Sequence, residues 1–450
     1  MKTGIVTLGC DKNTVDSEYI AGLLEESGAE PIVSGETSDL DAVIINTCGF
    51  IDCAKEESID RIMEWVDEKN RRENEGEPPL MIYVVGCLAE RYGGELLAEI
   101  PEIDGIAGVG QWRRVAKMAA AGKSARSQQY ISLPEKRPSM KITKEMPRKK
   151  VDSYPYGFLK IADGCSHRCS FCAIPLIKGN YTSVPRKILL EEAKSLLARG
   201  AKEINLIAQD INHYGRDLYE KYGLCDLIED IASLPGKFWI RLLYLYPEPI
   251  PDRLFELFRD VEKLCPYMDV PLQHLSPDML KKMRRPVKIV QFLVRLFQWR
   301  EEIPGLTIRT AFIVGHPGEG RKEFGELVEG VVKFRFDRMG AFLYSPEENT
   351  AAFKMKPEVS RKTAVNRLNR LMELQSEIML KKNQDLIGQT KEVLVEEYLS
   401  EEKLYTGRTK SDAPEVDCSI YFKSQQKLNP GDFVNVKITG AEAFDLYGAG

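Results

Sequence analysis

The residues best suited to chemistry are Cys165, Cys169 and Cys172, in the run Cys-Ser-His-Arg-Cys-Ser-Phe-Cys that follows an Asp163-Gly164 turn. Thiolates at offsets of four and three can close around one face of an iron–sulfur cube and leave one iron bare. A bare iron is a Lewis-acid position for the amino and carboxylate groups of a small ligand, which a fully ligated electron carrier does not offer. The competing readings are a structural zinc site and plain burial. Zinc normally takes four closed ligands, and although His167 lies inside the loop, a second Cys-x-x-Cys pair is missing.

A second trio stands at equivalent points of a repeat. Ile5-Val-Thr-Leu-Gly-Cys10, Val43-Ile-Ile-Asn-Thr-Cys48 and Ile82-Tyr-Val-Val-Gly-Cys87 are short β-branched runs, each ending in a small residue and then cysteine, at spacings of 38 and 39. Helix-like stretches at 16–27 and 54–69 lie between them, so the period is that of β-α-β units with parallel strands. Right-handed crossovers bring the carboxyl ends of such strands to one edge, where Cys10, Cys48 and Cys87 should converge on a second cluster. The alternative is three small buried residues, each closing its strand. Cys53 breaks the period and is read as a packing residue, as are Cys225, Cys265 and Cys418.

The text around these cysteines carries a resemblance. Leu159-Lys-Ile-Ala-Asp-Gly-Cys-Ser-His-Arg-Cys-Ser-Phe-Cys172, Asn46-Thr-Cys-Gly-Phe-Ile51, Ala54-Lys-Glu-Glu-Ser-Ile59 and Ser411-Asp-Ala-Pro-Glu-Val-Asp417 together resemble the radical S-adenosylmethionine (SAM) methylthiotransferases over nearly the whole chain. Within that family they resemble the branch that modifies an aspartate of ribosomal protein S-twelve. The resemblance implies two 4Fe-4S clusters. The loop cluster would bind SAM and split it reductively to a 5′-deoxyadenosyl radical, and the Cys10, Cys48, Cys87 cluster would supply methylated sulfur to a carbon radical. It also implies a redox partner such as flavodoxin or ferredoxin and leaves the sulfur donor unknown. The alternative within the family is methylthiolation of an adenosine in tRNA; a rival of another class is a non-catalytic ribosome or RNA binder with structural clusters. The chain departs from the family pattern at Asp11, where proline is common, at His316, usually apolar, and at Cys418, usually glycine.

The positioning elements can be read as well. Strand-like runs at 158–162, 204–208, 239–244, 268–271, 307–314 and 340–344 alternate with amphipathic stretches at 187–198, 224–233, 252–264, 290–301 and 321–336. Six such repeats predict a partial (β/α)6 barrel with its active groups on the loops after the strands. The cysteine loop follows the first run. Gln209-Asp210, Pro247-Glu248, Gln273-His274 and 315–319 follow others and are candidate SAM contacts, with Gly315 and Gly318 expected to let backbone approach the ligand. Arg241 and Arg285 are candidates for its carboxylate, with a surface salt bridge as the alternative.

A long packing helix is expected at 361–385 behind a Ser360 cap. Short alternating strands from 392 to 447 then predict a small antiparallel β-barrel, which the resemblance identifies as a TRAM domain. From 390 to 450 there are seven Lys or Arg against eleven Asp or Glu, a poor match to phosphate and a good one to a basic protein. At 450 residues with 43% hydrophobic and 29% charged, the fold class is α/β with several domains: 1–121 for the second trio, a basic linker at 122–150, 151–385 for the barrel and 386–450 for the C-terminal module. The net charge of −5 gives no general drive toward nucleic acid, no leader or apolar span is seen, and a cytoplasmic monomer is expected.

Overall fold

The computed structural model describes every residue except 33–38, 122–129, 133–141, 143–145, 248–249 and 287. Most of the basic linker and Glu248 therefore lie outside the described residues. Two compact units emerge: Met1–Ser153 with Ala162–His167 and Cys172–Ile188, and Tyr154–Ile161 with Arg168–Phe171 and Leu189–Gly450. No described helix is long and apolar enough to cross a membrane.

The first unit is built on β1 (Lys2–Thr7), β2 (Glu30–Ile32), β3 (Ala42–Thr47), β4 (Met81–Gly86), β5 (Gly105–Ala107) and β6 (Tyr130–Ser132), all parallel in the order β2-β1-β3-β4-β5-β6. Parallel strands covered on both faces require apolar residues at successive positions, and Val43, Ile44 and Ile45 are fully buried. Helices α1 (Asp11–Glu26), α2 (Asp52–Glu75), α3 (Cys87–Glu99) and α4 (Trp112–Ala121) make the crossovers. α1 and α2 begin earlier than the 16 and 54 read from the sequence, and α3 was not foreseen. The strand order reverses between β1 and β3, which opens a crevice at their carboxyl ends.

In the second unit β7 (Tyr156–Lys160) leads to the cysteine loop. β8 (Ala162–Asp163), before the loop, and β9 (Thr182–Ser183), after it, form a short antiparallel ribbon belonging to the first unit. β10 (Glu203–Ile207), β11 (Trp239–Leu242), β12 (Leu264–Asp269), β13 (Thr307–Val314) and β14 (Arg338–Leu343) complete a six-stranded parallel sheet with β7 at one edge and the rest in sequence order, the winding of an unclosed barrel. The helix Arg361–Gln384 follows, with the Ser360 hydroxyl accepting from the Thr363 amide at 3.3 Å.

The chain ends in a closed barrel of β15 (Thr390–Leu399), β16 (Leu404–Arg408), β17 (Ser419–Lys423), β18 (Phe433–Ala441) and β19 (Asp445–Ala449). It is not wholly antiparallel: β17 pairs with β19 in parallel, which closes the ring. At least four of its eleven acidic residues are engaged by other side chains. Asp412 takes Arg338 at 2.5 Å, Glu415 accepts from Tyr156 at 2.9 Å, and Asp417 accepts from Tyr267 at 2.5 Å. Glu396 takes Arg408 at 2.7 Å, and Arg408 also reaches Glu203 of β10 at 2.8 Å. With these four acids and Arg408 engaged, seven acids and six lysines remain over 390–450, close to balance. Part of the acid excess inferred to suit a basic partner, Asp412 and Asp417 above all, is thus taken up in docking the module on the sheet.

Glu203 is fully buried, and although burial opposes it, Arg241 and Arg408 hold its carboxyl below the usual range. Arg408→Met leaves that carboxylate with one guanidinium fewer and should destabilise the chain by about 3–5 kcal/mol, read as a lower urea midpoint; adding Glu203→Gln should recover part of the loss. An unchanged midpoint in the single variant contradicts this account.

Candidate functional site

The three cysteines of the first unit lie just past three neighbouring strands. Cys10 precedes α1, Cys48 follows β3 directly, and Cys87 is the first residue of α3. Two side chains that the sequence reading did not single out hold these ends together. The Asn13 amide donates to the carbonyls of Leu8 (2.8 Å) and Thr47 (3.1 Å), tying the loop after β1 to the end of β3. Ser58 of α2 accepts from the Cys48 amide at 3.1 Å and donates to the Cys48 carbonyl at 3.0 Å. Both were within reach of the sequence, since Asn13 sits in Gly-Cys-Asp-Lys-Asn and Ser58 in Ala54-Lys-Glu-Glu-Ser-Ile59.

Close approach needs small residues here. A Cβ on Gly9, whose φ is +91°, would lie 2.6 Å from Cys48 Cβ, and one on Gly49 would lie 2.7 Å from the Leu88 backbone and 2.8 Å from that of Cys87. The Cys10 loop therefore abuts Cys48, and the Cys48 loop abuts Cys87.

The electrostatics fit thiols awaiting a cationic group. Burial pushes the Cys87 thiol up to about 12 and the Cys48 thiol up to about 11, and the charge of Cys10 acts in the same direction on both. Lys178 opposes both shifts, and the amino ends of α1 and α3 add partial positive charge beside Cys10 and Cys87. None of the ten cysteines is in a disulfide. Among the described residues no three His, Cys, Asp or Glu side chains close in tightly enough for a single metal ion. Three soft thiolates are a donor set of the kind that holds iron in an iron–sulfur cluster.

The loop of Cys165, Cys169 and Cys172 is pinned through its backbone. The Cys165 amide donates to the Gly179 carbonyl at 3.1 Å, and within the second unit the Ser170 amide donates to the Met283 carbonyl at 3.0 Å. The Ser170 hydroxyl is 3.3 Å from His316 Nε2. Burial holds the His316 imidazole down at about 4, hence neutral at pH 7, so the departure from the family pattern is a neutral hydrogen-bonding partner of the loop.

Several expected ligand contacts are reassigned. Arg241 is fully buried and donates to Glu203 (2.6 Å) and to the carbonyls of Lys410 (2.8 Å) and Thr409 (3.3 Å), so it docks the C-terminal barrel and is turned away from any small ligand. Arg285 donates to the Pro271 carbonyl and points its other arm at Cys169 Sγ, 3.8 Å away, with its guanidinium over the Tyr246 ring. A Cβ on Gly315 would lie 2.6 Å from Ala364 Cβ and one on Gly318 2.7 Å from Lys282 Nζ, and both residues have positive φ, so the local backbone and packing call for glycine at each position. Gln209 and Gln273 follow β10 and β12 at the carboxyl edge, Gln273 in the left-handed region at φ 71°. Cys53 is exposed on α2 and does not pack in the core; Cys225, Cys265 and Cys418 are buried.

Comparison with known proteins places three families along the chain. Residues 2–108 match Uncharacterized protein family UPF0004, residues 159–331 the Radical SAM superfamily and residues 387–449 the TRAM domain. The ribosomal protein uS12 methylthiotransferase RimO of Carboxydothermus hydrogenoformans is 43% identical, covering 100% of this chain and 99% of its own. That of Phocaeicola vulgatus is 42% identical, covering 98% of each. Among solved structures, the radical SAM methyltransferase TsrM from Kitasatospora setae is similar in fold with a TM-score of 0.56 at 15% identity, covering 77% of this chain and 74% of that one.

The thiol environments predict an order of reactivity. In metal-free protein at pH 8, thiolate is on the order of 0.1% of Cys48 and 0.01% of Cys87, so iodoacetamide should label exposed Cys53 well ahead of both. Peptide mass spectrometry over a time course checks the order, and raising the pH toward 11 should narrow the gap.

Proposed function

We infer the function from one premise: the chain belongs to the family of ribosomal protein uS12 methylthiotransferases. It is a radical SAM methylthiotransferase that places a methylthio group on the β-carbon of an aspartate in ribosomal protein uS12. The observation that carries the reading at the level of residues is the convergence of Cys10, Cys48 and Cys87 at the ends of three adjacent strands, in a chain that also has the Cys165, Cys169, Cys172 loop.

Each cysteine trio would hold a 4Fe-4S cluster. When bound, the loop cluster and SAM supply one-electron cleavage of a sulfonium and removal of hydrogen from an unactivated carbon, which no side chain can do at neutral pH. The chain's own residues orient and shield. Cys165, Cys169 and Cys172 ligate through their sulfurs, and the arm of Arg285 donates toward the Cys169 sulfur, lowering its electron density. Ser170 and His316 fix the turn between those ligands without adding charge. Gln209 and Gln273 are the remaining candidates for SAM contact. Cys10, Cys48 and Cys87 hold the second group, with Asn13 and Ser58 keeping their loops in place.

The domain assignment follows: 1–121 for the second cluster, 122–150 as linker, 151–385 as radical SAM core and 386–450 as TRAM domain. An electron donor of the flavodoxin or ferredoxin class, a monomeric state and the cytoplasm, where ribosomal proteins are met, complete the reading. Docking takes up part of the acid excess of the C-terminal barrel and weakens the charge argument for a protein over RNA, so the substrate rests on the relatives.

Single Cys10→Ala, Cys48→Ala or Cys87→Ala variants should lose about half of the bound iron, still form 5′-deoxyadenosine from SAM, and yield no methylthiolated peptide, whereas Cys165→Ala should abolish both products. Mass spectrometry of uS12 and of tRNA from a strain lacking the gene tests the substrate. Unmodified uS12 with intact tRNA is expected, and loss of a tRNA modification alone would overturn the assignment.

A further inference from the structure

Lys178 is the residue after the short helix α5 (Ile174–Ile177), and its side chain is 3% exposed. Ile177 and Ala173 pack with Val109 against Cys87, which brings this segment to the cysteine trio within the first unit. Two carboxylates stand nearby, Asp163 at 3.4 Å and Asp16 at 3.7 Å, yet among the described residues the ammonium makes no hydrogen bond. Burial works against the charge. Asp163 and Asp16, followed by Cys87 and Cys10, outweigh it, so the group stays protonated well above its ordinary range. A buried ammonium with unused donors is costly unless something anionic comes to meet it. The nearby acids balance its charge without taking up its N–H bonds.

We propose that Lys178 is the positioning residue for an anionic sulfur, of the sulfide or hydropersulfide class, carried at the Cys10, Cys48, Cys87 site. This rests on the reading of that trio as a cluster site. The ammonium supplies hydrogen-bond donors and one positive charge on the side of Cys87, where α3 also presents its amino end. Asp16 opposes it, since its charge raises the Cys87 thiol just as that of Lys178 lowers it. The pair thus sets how strongly the site attracts negative sulfur.

The test uses the full-length chain carrying Cys165→Ala, Cys169→Ala and Cys172→Ala, reconstituted anaerobically so that only the first-unit trio can hold a cluster. Sodium sulfide is titrated in, with binding followed by the spectrum of the reduced cluster and the midpoint potential measured in parallel. Lys178→Met should weaken sulfide binding about tenfold or more and shift the potential negative, and Lys178→Arg should restore most of both. Asp16→Asn should move both in the opposite direction, and it decides the matter if Lys178→Met does not load iron. Unmoved affinity and potential at full iron content overturn the role of Lys178 and leave the cluster reading standing. A parent background that binds no iron overturns both, and one that loads iron but binds no sulfide overturns the proposal alone.

Discussion

One carboxamide ties together what the proposed chemistry needs together. Asn13 bonds to carbonyls on either side of the point where the strand order reverses, so the loops carrying Cys10 and Cys48 cannot splay apart without leaving a buried amide unsatisfied. The bulk missing at Gly9 and Gly49 then lets three backbone segments meet at one edge. Stiff parallel strands bring the loops into the neighbourhood, and short polar contacts fix the last few ångströms.

Negative charge governs the rest of that edge. Thiols that burial keeps protonated become ligands only when a cation displaces their protons, so assembly and proton release are coupled. Helix amino ends and Lys178 supply positive charge from the protein, while Asp16 and Asp163 keep the ammonium ionised. The result is a buried polar cluster whose members compensate one another and whose ammonium retains unused donors.

The C-terminal barrel shows the opposite use of charge. Its acids look like a recognition surface when counted along the chain, yet Asp412, Glu415 and Asp417 are turned onto Arg338, Tyr156 and Tyr267 of the parallel sheet. Arg241, on the third strand of that sheet, belongs to the same interface. A stretch that carried family resemblance therefore earns its composition at a junction inside the second unit.

By itself the sequence determined the classes of element and the two sets of three thiols, because periodicity and cysteine spacing are local and survive without neighbours. The six strand runs of the sheet, the five of the barrel and the Ser360 cap were legible for that reason. Only the tertiary structure decided which polar side chains face which, since a guanidinium on a strand looks the same whether it meets a ligand or a buried glutamate. It moved Arg241 to a junction and put Cys53 in solvent. It also brought Asn13, Ser58 and Lys178 to the cysteines. Asn13 and Ser58 stand in motifs beside Cys10 and Cys48, but the Thr47 carbonyl that Asn13 reaches and the trio beside which Lys178 lies are distant along the chain, and burial, which gives such polar contacts energetic weight, exists only once the chain has folded.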